Sequence, residues 1–109
     1  MYKRIRLREL EEKFRDIEKQ LDYMLLGTYQ HLFLLKDDEL LKENDNLIEA
    51  RENIRRLGMF YREIKGYDSP EPPVYGKIVS RLKSLRNLLV REWNDRWRER
   101  NFNRFLEDI

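Results

Sequence analysis

At 109 residues the chain has the length of one domain, sufficient for a modest core and too short for a deep one. Charged residues make up 40% of it, against about 25% in an average globular protein, so most of the chain must be surface, although the net charge is only +2. The absence of cysteine excludes disulfides, thiolate nucleophiles and cysteine-based zinc patterns, and favours a reducing, cytoplasmic setting.

The basic start is not expected to be a signal peptide, because Glu9, Glu11 and Glu12 fall where an apolar stretch would follow. Leu7, Leu10, Phe14, Ile17, Leu21 and Met24 recur at spacings of three and four, which puts them on one stripe of a first helix over about 4–35. Beyond Met24 the apolar residues spread to Leu25, Leu26, Tyr29, Leu32, Phe33, Leu34 and Leu35, more than one neighbouring helix can cover. Gly27 marks the place for a bend or brief interruption there. The nearly uncharged window from Tyr23 to Leu35 falls well short of the roughly 20 residues that cross a bilayer as a helix, so no membrane partner is expected.

A second helix is expected over about 38–65, opened by Asp37 and Asp38 and carrying Leu40, Leu47, Ala50, Ile54, Leu57, Tyr61 and Ile64 in the same rhythm. Gly66 supplies its stop, and Ser69, Pro70, Pro72, Pro73 and Gly76 make 66–76 an extended, proline-rich linker. A third helix resumes near Lys77 and runs over about 77–107, with Ile78, Leu82, Leu85, Leu89, Trp93 and Trp97 on a related stripe, then Phe102, Phe105 and Leu106.

Three helices of comparable length with coiled-coil-like spacing, and no strand alternation, predict an all-α fold: an antiparallel bundle of three long helices in one domain, closed on itself or completed by dimerisation. One pole should gather Leu32 to Leu35, Leu40, Leu41, Phe102 and Phe105. The other should gather Leu7, Leu10, Phe60, Tyr61, Tyr75 and Ile78.

Little in the chain suggests catalysis. The lone imidazole, His31, has Thr28 on its helical face and no orienting carboxylate close in sequence, so no catalytic residue is assigned. The paired Glu-x-x-His motif of two-metal bundles is missing, and Asp38, Glu39, Glu43 and Asp45 read as a solvated helix start; no metal or cofactor is expected. Arg51 and Glu52, with Ile54, Arg55, Arg56 and Leu57, slightly resemble the middle helix of the chorismate mutases, whose bundle interior holds a dicarboxylate with basic side chains. That family also needs basic residues projecting inward from the second half of the first helix, and here no Lys or Arg occurs between Lys19 and Lys36.

Charge distribution carries more information. Residues 36–50 hold two basic and six acidic side chains, whereas residues 77–109 hold nine basic and five acidic, so the molecule is polarised. Arg91, Arg96, Arg98, Arg100 and Arg104 interleave with Trp93 and Trp97, a pattern suited to phosphates and stacked bases; Glu92, Asp95 and Glu99 at helical spacings offer the plainer reading of a solvated face. Lys3, Arg4, Arg6 and Arg8 could add a basic arm. The expectation is therefore a non-enzymatic binding protein that uses this Arg/Trp face on nucleic acid or another acidic surface. Its alternative is a module that dimerises or takes a helical protein partner through Leu25, Leu26, Tyr29, Leu32, Phe33, Leu34 and Leu35. The abundance of charge, with one Ala and one Thr, hints at a thermophile; seven Asn residues point the other way.

Overall fold

The computed structural model describes residues 2–66, 68, 70 and 72–108, and the side chains among them except those of residues 2–5, 105 and 108. The rows of apolar residues form three helices, α1 (Tyr2–Leu26), α2 (Asp37–Lys65) and α3 (Pro73–Asp108), with no strand among the described residues. Each packs on the other two, giving an all-α three-helix arrangement 72 × 25 × 19 Å in extent.

Two boundaries differ from the sequence expectation. The first helix stops at Leu26 rather than near 35, because Gly27 leaves helical geometry at φ −101°, ψ −112°. Gln30 Nε2 then donates to the Leu25 carbonyl at 2.7 Å, satisfying one of the acceptors that a helix end leaves open. Two short 3₁₀ turns, Thr28–Gln30 and Leu32–Leu34, carry the chain round to α2. The other difference lies in the linker, where α3 begins at Pro73 instead of Lys77. Proline suits the first helical position, since its missing N–H would have no partner there and its φ is already helical. Gly66, at φ 112°, ends α2 in a backbone region that disfavours side chains.

The core is a narrow file. Leu10, Phe14 and Leu21 from α1 meet Leu40, Leu47, Ile54 and Tyr61 from α2 and Ile78, Leu85 and Leu89 from α3. At the lower pole Phe14 stands edge-on to Tyr61 and Tyr75, with ring centroids 6.4 and 6.0 Å away. Tyr75 comes close to α2 because Gly58 has no side chain; a Cβ there would lie 3.2 Å from the ring. Leu7, Leu10, Tyr61, Tyr75 and Ile78 gather there as expected, while Phe60 is exposed. At the upper pole Leu32, Leu35 and Leu40 join the core, but Phe33, Leu34, Leu41 and Phe102 do not; the Phe105 side chain lies outside those described. Arg81 ties α3 to α1 halfway along, with Nε 2.5 Å from Asp22 and Nη2 3.3 Å from Glu18.

Tyr29, on the first 3₁₀ turn, is buried, and its hydroxyl, near the Glu43 carboxylate, has no partner within hydrogen-bonding geometry among the described residues. Burial, and then the charge of the Glu43 carboxylate nearby, raises its pKa well above that of a free phenol. Two substitutions should therefore act in opposite ways in urea unfolding. Phe14→Ala should cost about 3 to 5 kcal/mol, as large-to-small changes in a closed core do. Tyr29→Phe, which removes a desolvated and unpaired hydroxyl, should be neutral or stabilise by up to about 1 kcal/mol.

Candidate interaction surfaces

Arg96 sits on the core-facing row of α3, seven residues after Leu89, and its side chain is only 16% exposed. Its guanidinium reaches four acceptors. Nε donates to Glu92 at 2.9 Å, Nη1 to Asp37 at 3.0 Å, and Nη2 to the carbonyls of Leu32 at 2.9 Å and Leu35 at 2.5 Å. Arg100 donates to the other oxygen of Asp37. This clasp holds the turn between α1 and α2 onto α3, and a planar five-donor group suits it where an ammonium would not. Hydrogen bonds from Arg96 and then Arg100 hold the Asp37 carboxyl below its ordinary pKa.

Of the five arginines assigned to a phosphate-binding face, Arg96 and Arg100 thus serve the clasp. Arg91, Arg98 and Arg104 are exposed and make no hydrogen bond or ion pair among the described residues. The tryptophans do not continue the core stripe as their spacing suggests: from Leu89 the core row passes to Glu92 and Arg96, leaving Trp93 38% and Trp97 62% exposed. Of the basic residues near the N-terminus, Arg6 and Arg8 extend from α1 itself, and the side chains of Lys3 and Arg4 lie outside those described.

The apolar set at the end of the first helix is divided. Tyr29 and Leu32 are buried in the chain's own core, Leu25 and Leu35 are half-buried against it, and Leu26, Phe33 and Leu34 face outward. The helix break explains this, since the 3₁₀ turns aim Tyr29 and Leu32 inward where a continuous helix would have carried them past the bundle.

A second apolar surface lies between α2 and α3. Leu40, Leu41 and Asn44 face Leu89, Val90 and Trp93 across a cavity of about 180 Å³, and Ile48 and Trp97 extend the same rows. Beside it, the outer face of α3 forms an open hollow of about 370 Å³ lined by Asn87, Val90, Arg91, Asn94, Asp95 and Arg98. Trp93, Trp97, Arg91 and Arg98 were assigned from sequence to a binding face, but Leu41, Ile48 and Val90 beside them were not, yet a signal exists in the doublets Leu40-Leu41, Leu47-Ile48 and Leu89-Val90. In each, the first residue is buried and the second is exposed, because adjacent positions on a helix cannot both face one core.

Nothing in the described residues brings reactive groups together. His31 is exposed, no charged side chain is buried, and no three His, Cys, Asp or Glu side chains are placed to hold a metal ion. Arg51, Arg55 and Arg56 point outward, so the likeness of the middle helix to the chorismate mutases does not extend to its interior.

The clasp predicts a pH dependence. The folded pKa of Asp37 lies below its ordinary 3.8, so the ionised group adds stability above pH 3.8 and loses that contribution as pH falls from 3.8 through the folded value. Urea midpoints of the native chain and Asp37→Asn should differ at neutral pH and converge in acid. Compared with family models, curated proteins and solved structures, the chain matches none.

Proposed function

We propose that the chain is a non-enzymatic assembly module, which dimerises through exposed apolar helix faces, chiefly the groove between α2 and α3. The observation that carries this reading is surface area. The chain exposes 8813 Å², whereas a compact monomer of 13.6 kDa exposes about 6,600 Å². The excess of about 2,200 Å² follows from the elongated 72 × 25 × 19 Å shape, which leaves long helix faces open where a standard interface would need roughly 800 Å² per partner. Large apolar side chains stand exposed on these faces: Leu41, Ile48, Val90, Trp93 and Trp97 along the groove, and Leu26, Phe33 and Leu34 at the turn. Apolar residues grouped in rows mark contact surfaces more often than singly scattered ones do.

A second reading, contact with nucleic acid, is favoured by Arg91, Arg98 and Arg104 having no partner among the described residues and by the exposure of Trp97. It is weakened by the engagement of Arg96 and Arg100 with Asp37.

Sedimentation at micromolar concentration should find a species heavier than 13.6 kDa. The double substitution Leu41→Asp with Val90→Asp should shift it to monomer without changing the circular dichroism. A monomer at every concentration would defeat the proposal. If that monomer also bound nucleic acid with an affinity falling log-linearly as salt rises, the second reading would replace it.

A further inference from the structure

We infer that the occupant of the α2/α3 groove is a second copy of this chain, related by a two-fold axis parallel to the helices, so that α2 of each copy lies along α3 of the other. The inference rests on the assembly reading and adds the partner, the face and the symmetry.

The charges flanking the groove select this arrangement. On α2, Asp38, Asp45 and Glu52 are exposed and spaced by seven, one step further round the helix than Leu41 and Ile48. On α3, Arg91 and Arg98 are exposed, also spaced by seven, and lie one step beyond Val90 and Trp97. One edge of the groove is therefore acidic and the other basic. A two-fold axis along the helices sets the acidic edge of each copy on the basic edge of its partner; an axis across them would set acid on acid. In an isologous contact every such pairing occurs twice.

The levels match as well as the signs. Asp37 is level with Arg96 and Arg100, and Leu41 and Asn44 share a cavity with Val90 and Trp93. Because the axis keeps every residue at its own height, Asp38 of one copy comes level with Arg98 of the other, and Asp45 comes within about one helical turn of Arg91. The hollow along Asn87, Val90, Arg91, Asn94 and Arg98 then lies where the partner's α2 would run. Asp95 stands in that hollow against the trend, and Lys42 points away from the groove on α2. Below Ile48 the row on α2 turns to Arg51 and Arg55, so the contact covers the upper half of the bundle. The result is a four-helix layer with antiparallel neighbours, α2 on α3 and α3 on α2, the packing of an up-down helix bundle.

A charge swap tests this. Asp45→Arg and Arg91→Asp should each loosen the dimer roughly ten-fold by sedimentation equilibrium, since each breaks two opposed pairs and creates two like-charge ones. The double variant should recover most of the native affinity, and circular dichroism should be unchanged in all three. The protein has no cysteine, so single cysteines can be placed without interference. Asp45→Cys mixed with Arg91→Cys should give a mixed disulfide on oxidation, and Asp45→Cys alone should not self-link. A dimer that ignores both charge reversals, or whose Asp45→Cys variant links to itself, overturns this interface while leaving self-association intact. A chain that stays monomeric overturns the inference and the assembly reading together.

Discussion

The upper half of the molecule depends on one guanidinium. Arg96 gathers the carbonyls of Leu32 and Leu35, the carboxylate of Asp37 and that of Glu92 around a single planar group. Three of these acceptors lie where the chain turns into α2, at the first residue of the second 3₁₀ turn, the extended residue after that turn and the first residue of α2, and the fourth, Glu92, lies one helical turn back on α3. Removing one partner of such a cluster leaves the remaining polar groups desolvated without compensation, which typically costs more than the net worth of any one hydrogen bond. The entry angle of α2, and with it the width of the groove against α3, is fixed at this point.

The same residue marks where sequence reasoning reached its limit. Core rows on all three helices were legible from spacing alone, because a period near 3.6 with apolar side chains has few other solutions. So were the stop at Gly66 and the weakness at Gly27. The register at the end of the third row was not legible. Trp93 and Trp97 are large and apolar and continue the spacing from Leu85 and Leu89, so hydrophobicity assigns them inward; the core row in fact passes through Glu92 and Arg96. A charged residue in a core register reads as an error until its acceptors are known, and three of the four come from residues about sixty positions away. The start of α3 at Pro73 was hidden for a local reason, since proline both breaks helices and begins them.

The candidate surfaces follow from that register. Had the tryptophans been inside, the exposed face of α3 would have been almost wholly polar, and the arginines would have had only solvent or phosphate to meet. With Trp93 lining the cavity against α2 and Trp97 exposed one turn further along α3, the basic residues become the edge of an apolar groove whose opposite edge is acidic. A polarity of sequence, acidic in the first half of α2 and basic in the second half of α3, thereby becomes a polarity across the width of one groove.

The cross-section of 25 × 19 Å has a different consequence. A rod this thin holds little more than one inward side chain per helix at each level, so a core residue touches the levels just above and below it and hardly any others. Such a core behaves as a short one-dimensional stack, in which each level is supported by its neighbours alone. Opening can then begin at either end without disturbing the middle. Phe14 with its two tyrosines closes the lower end and the Arg96 clasp the upper, and between them lies Arg81 with Asp22 and Glu18. Amide protons near the centre of α1 and α3 should be the last to exchange, and the final residues of α3, which run past Asp37 with every described side chain exposed, the first.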